Sequence, residues 1–447
     1  MTVLEKALGM LEKHPLCGNC LGRQFALLGH GIENNDRGKA LKLSLTLQAS
    51  ALNQSKNVEG LKSLKILATN GFSREAAETL QHLKKRIPKK NQSKTCFLCE
   101  DRFQLLDGFI HKALKETAYY EYTTFLVGVE LPVAVEERED EFKAAFEVGY
   151  GESIRHEFAR LLGKKVEAQT AKTVEYRKPD MVIIINPFTE DVKIQVNPLF
   201  VAGRYRKLVR DIPQSKWFCA SCRGKGCEKC GWTGKLYPES VEELVSTPFL
   251  EAAEGEKTAF HASGREDIDA RMLGSGRPFV IEVSKPKKRF LDLRKLGEAI
   301  NAHAKGKVEV SSLRFTSRDV VRRLKKAESA QKEYRVLMEF ENEVSEEALR
   351  FLEEKLTNAS IKQQTPLRVL HRRADLTREK YIYQVKVKKV SPRKVEMEIR
   401  CQGGLYVKEL VSGDKGRTTP SVSELLGNKA KPIKLDVLNV ILEESVR

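Results

Sequence analysis

Apolar positions recur at helical spacing through the first 120 residues. Val3 to Leu11, Arg23 to Leu28, Arg37 to Leu52 and Phe103 to Thr117 each repeat hydrophobic side chains every three or four positions, as amphipathic helices do. The pattern then changes. Thr124 to Leu131 reads as a strand and Glu152 to Leu162 as a helix. Met181 to Pro187 and Val192 to Pro198 read as two strands joined by a turn around Thr189–Asp191. Further strands are expected at Phe279–Val283, Arg335–Phe340, Tyr381–Val390 and Lys394–Cys401. The polar, lysine-rich stretch Pro88–Lys94 predicts an exposed loop, and the acidic run Glu239–Glu256 a linker. The fold class that follows is α+β.

Length and charge extend this picture. At roughly 150 residues per domain, 447 residues suggest two or three domains. No apolar run approaches the ~18 residues of a membrane span. The N-terminal 16 residues interleave Glu and Lys with apolar positions, which is an amphipathic helix and not a signal peptide. The expected compartment is the cytoplasm, with no membrane association. The chain carries 79 Lys+Arg against 61 Asp+Glu, a net +18. Between Ile281 and Arg335 the excess is +9, so half of it falls in 55 residues. A local field of that sign suits a polyanion such as nucleic acid; a solvated lysine-rich surface is the bland alternative.

Eight of the nine cysteines form four C-x-x-C pairs, and Cys401 stands alone. In a reducing cytoplasm such knuckles point to zinc before disulfides. Cys17, Cys20, Cys96 and Cys99 make two knuckles separated by 75 residues, a gap that loop-closure entropy tolerates. Cys219, Cys222, Cys227 and Cys230 form C-x2-C-x4-C-x2-C with Gly224, Gly226 and Gly234 nearby. This second segment has almost no apolar residues, so bound metal would have to supply its folding energy. The alternatives are two unrelated buried pairs for the first set and a metal-free loop for the second.

Two segments carry candidate chemistry. Gly203–Arg210 sets Arg204, Arg206, Lys207 and Arg210 around Tyr205, cations for phosphate and a ring for a base, which predicts RNA contact. Gly264–Gly274 packs Arg265, Glu266, Asp267, Asp269 and Arg271 between two glycines. A carboxylate oriented by arginine serves either as a nucleophile or base or as part of a structural ion-pair loop. The glycine-rich Gly274–Pro278 lacks the Lys-Ser/Thr of a phosphate loop and the dinucleotide fingerprint, so nucleotide binding is rejected there.

Gly264-Arg-Glu-Asp-Ile-Asp269 resembles the G-R-x-D active-site segment of pseudouridine synthases. Its extension to Val283 resembles the Pus-ten family, more archaeal than eukaryotic in its compactness. Glu333-Tyr-Arg335, Gly404–Glu409, Gly413–Leu426, Gln195–Lys207 and both cysteine sets extend the resemblance over nearly the whole chain. It implies a C-terminal pseudouridine synthase fold, a mixed sheet with a central cleft, plus an N-terminal helical zinc region and a THUMP-type α+β accessory domain. The expected layout is a helical zinc-clipped region at 1–120, a THUMP-type module at 121–216, a four-cysteine ribbon and linker at 217–257, and a catalytic domain at 258–447.

The resemblance also implies roles. Asp267 matches the catalytic aspartate, with Asp269 as fallback. Arg265 is the motif arginine, and Tyr334 the tyrosine against the flipped base. Lys408 stands where many synthases pair a cation with the aspartate, and Val407 and Leu435 match apolar pocket positions. Cys17, Cys20, Cys96 and Cys99 match structural zinc ligands, while the second cluster rests on spacing alone. The implied reaction is isomerisation of uridines 54 and 55 of the tRNA T loop, with no organic cofactor and no obligate protein partner. A THUMP-bearing methyltransferase or thiolase would need a glycine-rich cofactor loop or a pyrophosphate loop, and neither occurs. A non-catalytic tRNA-binding or tRNA-remodelling protein is the alternative from a different class.

Overall fold

The structure is a computed structural model that describes residues 2–86, 95–326 and 330–441, so the loop expected at Pro88–Lys94 lies outside the described residues. The chain divides into two compact units, Met1–Asn197 and Pro198–Arg447. Among the described residues no helix is long and apolar enough to cross a membrane.

The first unit joins a helical half to a small sheet over one hydrophobic core. Val3–Lys13 begins with a Thr2–Glu5 capping box, which satisfies two otherwise orphaned amides. Its Ala7, Met10 and Leu11 are buried, so the expected amphipathic face is the one packed inward. The helix expected at Arg37–Leu52 runs longer, Asn34–Gln54, and is followed by Val58–Thr69 and Arg74–His82. The segment expected to be helical at Arg23–Leu28 is only a short 3-10 turn, Arg23–Phe25, after the helix Gly18–Gly22. That short helix lies against Asn34–Gln54 at backbone contact: a Cβ on Gly38 would sit 2.0 Å from Gly18 O. The sheet has strands β1 (Thr124–Val129), β2 (Thr173–Val174), β3 (Met181–Asn186) and β4 (Asp191–Val196) in the order β2-β1-β3-β4. β1 is parallel to β2 and β3, and β3 and β4 form the predicted hairpin. The helices Val133–Ala145 and Ile154–Thr170 make the crossover from β1.

The second unit is built on a ten-stranded mixed sheet. Its strands are β5 (Leu199–Lys207), β6 (Lys257–Ala262), β7 (Arg271–Ser284), β8 (Val308–Phe315), β9 (Gln331–Phe340), β10 (Ala359–Gln364), β11 (Thr377–Ser391), β12 (Lys394–Cys401), β13 (Thr418–Thr419) and β14 (Ala430–Ile441). The order is β13-β10-β11-β12-β9-β14-β7-β5-β8, with β6 paired to β7. Among the described residues of this sheet only β14 and β7 run parallel, at the centre; the other pairs are antiparallel. Two apolar clusters flank this join, one around Phe249, Phe279 and Ile300, the other around Leu352, Met397 and Leu410. Tyr334 packs against both.

Two further expectations are corrected. The acidic run Glu239–Glu256 is no linker: Val241–Ala253 is a helix, capped by Ser240 accepting from the Glu243 amide. Val241, Leu244, Val245 and Phe249 are buried on one face while the glutamates stay on the other and in the first turn, where the helix dipole favours them. Residues 199–207, expected within the THUMP-type module, instead form β5, which lies between β7 and β8 in the second unit's sheet.

Candidate active site

The loop from Ser263 to Ala270, between β6 and β7, walls a cleft of about 720 Å³ in the second unit. Six residues singled out from the sequence line it: Arg265, Asp267, Tyr334, Val407, Lys408 and Leu435. The loop supplies the first two and β9 supplies Tyr334. Val407 and Lys408 open the helix Val407–Ser412, and Leu435 lies on β14. Pairing of β9 with both β12 and β14 sets Tyr334 opposite Ile399 and Val437, at the floor of the sheet's central join.

Two cations reach Asp267. Lys408 Nζ and Arg368 Nη2 each lie 3.3 Å from its Oδ2. Arg368 also donates to Glu409 Oε1 at 2.7 Å, so one guanidinium ties the loop to the helix that carries Lys408. Lys408 lies closer to Asp269, at 2.8 Å from both carboxylate oxygens. Partial burial raises the Asp269 pKa, but the bonds and charge of Lys408 outweigh it, and the group ends below the ordinary aspartate value. Asp269 lines an adjoining recess of about 210 Å³ and not the main cleft, whereas Asp267 lines both. Of the two carboxylates, Asp267 is therefore the one presented to a cleft ligand. Burial lifts the Tyr334 hydroxyl well above the usual phenol range, with Cys401 adding to the shift, so the ring stays neutral. Cys401 itself is a core thiol that burial pushes up to about 12.

A buried polar network holds the loop from beneath. Glu266 and Arg277 form an ion pair at 2.9 Å with side chains essentially inaccessible. Tyr205 donates its hydroxyl to Glu266 at 2.9 Å, and Gln214 donates to the Tyr205 oxygen and to Gly264 O. Arg277 donates to Ser263 O, and Lys207 to the carbonyls of Asp267 and Ile268. Gly264 takes a left-handed φ of +73° at the loop entrance, a conformation that glycine adopts without a Cβ penalty. Across the cleft, Gln363 accepts from Tyr406 N and donates to Tyr406 O, which fixes the segment leading into Lys408.

Of the residues expected to contact RNA, Tyr205 and Lys207 are corrected, while Arg204, Arg206 and Arg210 keep part of their surface. Tyr205 and Lys207 are fully buried, because alternate residues of an interior strand point into the core. Arg204 binds Ser275 O and Val440 O, Arg206 pairs with Glu309 on β8, and Arg210 binds Asp269 O, Leu435 O and Asp436. Tyr205 and Lys207 support the cleft from inside, and the Tyr205 ring offers no stacking surface. Arg368, Glu409, Arg277 and Gln363 escaped the sequence reading. Arg277 and Glu409 lie within segments that carry the resemblance but were given no role, and Arg368 and Gln363 are brought to or beside the cleft by sheet topology with no local motif to mark them.

Residues 200–441 match the family model described as Pus10, C-terminal, and residues 109–186 the one described as Pus10 THUMP domain, archaeal. Over 440 residues the chain is 45% identical to the tRNA pseudouridine synthase Pus10 of Methanocaldococcus jannaschii, covering 96% of this chain and 93% of the relative. It is 38% identical to that of Methanothrix thermoacetophila, covering 98% and 94%. The chain belongs to the Pus10 family. It is thus a member of a pseudouridine synthase family, and an enzyme by that membership.

This Pus10-family chain also carries two sets of four cysteines, each with all sulfurs within 4.8 Å of one another. Zinc bonds of about 2.3 Å in a tetrahedron separate the sulfurs by roughly 3.8 Å. Cys17 and Cys99 are 3.7 Å apart, as are Cys227 and Cys230, and Cys219–Cys227 and Cys222–Cys230 are 3.9 Å. Backbone amides of Cys17 and Cys20 point at sulfur in the first set, and those of Cys227 and Gly234 in the second, as thiolates require. Both sets fit zinc. Four cysteines close each site and leave no position for substrate, so the metal would be structural.

Proposed function

We propose that this protein isomerises uridines 54 and 55 of the tRNA T loop to pseudouridine, with Asp267 as nucleophile or base. The observation that carries the reading is the cleft: Asp267 faces it, held by Lys408 and Arg368, with Tyr334 and the apolar Val407 and Leu435 beside it. Relatives named tRNA pseudouridine synthase along nearly their full length, and the THUMP match at 109–186, support tRNA as the substrate.

A uridine within a folded loop must leave its stack to enter, at a cost of a few kcal/mol. Tyr334 replaces the lost stacking, and Val407 and Leu435 exclude water from the base. Arg265, exposed at the cleft mouth, meets the phosphates around the flipped nucleotide. Lys408 and Arg368 fix the Asp267 carboxylate against the reacting nucleotide, which is an orientation effect. The glycosidic C–N bond breaks, the base turns, and a C–C bond forms at its C5. The C5 proton is lost and the base nitrogen gains one, so atoms and electrons balance without an organic cofactor. The reaction takes place in the cytoplasm on free tRNA.

The test is pseudouridine mapping on an unmodified tRNA transcript with the wild-type chain and Asp267→Asn. Product at both T-loop positions, absent with a variant that still binds tRNA, is the expected result. An active Asp267→Asn moves the catalyst to Asp269. Binding without product from the wild type leaves a tRNA-binding protein.

A further inference from the structure

The cysteine ribbon beside the cleft has a surface that its fold does not use. It is closed at the neck by the Phe218–Lys235 bridge, by Cys219 N donating to Gly234 O and by Leu236 N donating to Trp217 O. Between Phe218 and Thr233 only Cys219 is buried. The ribbon therefore has no apolar core, and a metal held by its four cysteines would supply its folding energy. Yet Phe218 is 59% exposed and Trp232 is 76% exposed. Trp232 also adopts a left-handed φ of +65°, an unfavourable backbone for a bulky residue, and strain of that kind concentrates at functional sites. The Phe218 ring lies over Gly224, where a Cβ would come within 2.7 Å of it, yet keeps most of its surface in solvent, and the Trp232 ring is more exposed still.

The surroundings identify the ligand chemistry. Lys216, Arg223, Lys225 and Lys229 are all exposed, against the single acid Glu228 in the same stretch. Lys216 Nζ lies 5.2 Å from the Phe218 ring centre. Exposed rings among exposed cations make a platform for unpaired nucleotides, with bases on the rings and phosphates on the cations. A protein-binding patch would be depleted of lysine. The ribbon's neck is continuous with the catalytic cleft. Trp217, packed edge-on against Tyr237, lines the recess that also contains Arg265, Asp267 and Lys408.

We propose that the ribbon is a second RNA-docking surface, on which unpaired nucleotides next to the target uridine stack against Trp232 and Phe218. This rests on the reading of the cleft as a site that processes RNA. The ribbon takes the strand that leaves the cleft past Trp217, and holds it unpaired while the target base is flipped.

The chain has two tryptophans, so Trp217→Phe leaves Trp232 as the sole reporter. Titration of that variant with a tRNA transcript should quench Trp232 emission saturably, and salt should weaken the effect. A single-stranded oligoadenylate should quench it as well, and an RNA duplex should not. In the wild-type background Trp232→Ala should raise KM for tRNA about tenfold, more than it lowers kcat, while Trp232→Tyr restores most of the loss. Zinc content and thermal midpoint of Trp232→Ala should equal those of the wild type, which separates lost docking from lost folding. Pseudouridine formation with no change in Trp232 emission at saturating tRNA overturns the proposal and leaves the cleft reading intact. Equal quenching by duplex overturns the unpaired strand. Quenching by tRNA without any pseudouridine supports the docking surface and removes the catalytic reading instead.

Discussion

The guanidinium of Arg368 lies 3.3 Å from Asp267 Oδ2, although the two residues are 101 positions apart. The contact depends on the short 3-10 turn Leu367–Arg372, which follows β10 and brings the arginine over the loop that carries the aspartate. Burial would favour neutral Arg368, but Glu409 and Asp267 more than compensate, and its pKa rises. The residue thus stays charged and acts as a positioning residue for Asp267.

Arg368→Gln should therefore cost catalysis more than binding. A charge-assisted hydrogen bond is worth about 1.5–3 kcal/mol, so kcat should fall roughly 10- to 150-fold with a smaller change in KM. Arg368→Lys should recover part of the loss, since it keeps the charge and gives up the fork. Single-turnover pseudouridine formation reads both; a kcat within twofold of wild type for Arg368→Gln would sink the positioning role.

The Asp267 side of that contact was legible in the sequence. Arginine and carboxylates crowded between Gly264 and Gly274 mark either a loop with chemistry or a structural ion-pair loop, and the cysteine spacings point to the two sets whose sulfurs come together. Arg368 was not legible, because nothing in Pro366–Arg373 is periodic or motif-like and the contact is created by the connection from β10 to β11. The segment 203–210 misled for a related reason. Charge density there predicted an exposed patch, but Lys207 and Tyr205 belong to the inward set of an interior strand, and which face is inward depends on strands that come later in the chain. In Val241–Ala253 the glutamates hid the apolar positions at helical spacing that bury the helix.

Glu266 and Arg277 should be coupled in stability. Removing one partner leaves the other as an uncompensated buried charge, which costs about 3–5 kcal/mol. Arg277→Met is expected to lower the unfolding free energy of the second unit, read from urea denaturation, by that measure. The double variant Glu266→Gln, Arg277→Met should be more stable than Arg277→Met alone, because no charge is left unpaired. Strict additivity across this double-mutant cycle would show the pair to be energetically independent.

Asp436 gives an acid-limb prediction. Burial raises its pKa, but the hydrogen bond from Arg271 and the charges of Arg210 and Arg271 outweigh this, and the carboxyl lies below the ordinary aspartate value. A depressed folded-state pKa adds stability that is complete above the unfolded value of about 3.9 and disappears as pH falls through the lower folded value. Wild type should thus exceed Asp436→Asn in urea midpoint at pH 6, and the gap should narrow below about pH 4. A gap that widens on acidification would reverse the sign of the linkage.

The two cysteine sets should release metal at different rates. Cys20, Cys96 and Cys99 are fully buried in the core of the first unit, whereas Cys222, Cys227 and Cys230 are only half-buried in the ribbon. The purified chain should contain two zinc ions, and a colorimetric chelator should take one in a fast phase and the other only slowly. Cys227→Ser should abolish the fast phase and leave both units' unfolding transitions in place, since the ribbon packs nothing of their cores. Cys20→Ser should abolish the slow phase and lower the thermal midpoint of the first unit. There a metal would join the Gly18–Gly22 helix to the Cys96–Cys99 knuckle within one hydrophobic cluster, and structural zinc binding contributes on the order of 10 kcal/mol. Single-phase release of both ions, or a fast phase that survives Cys227→Ser, would contradict the assignment of the labile site to the ribbon.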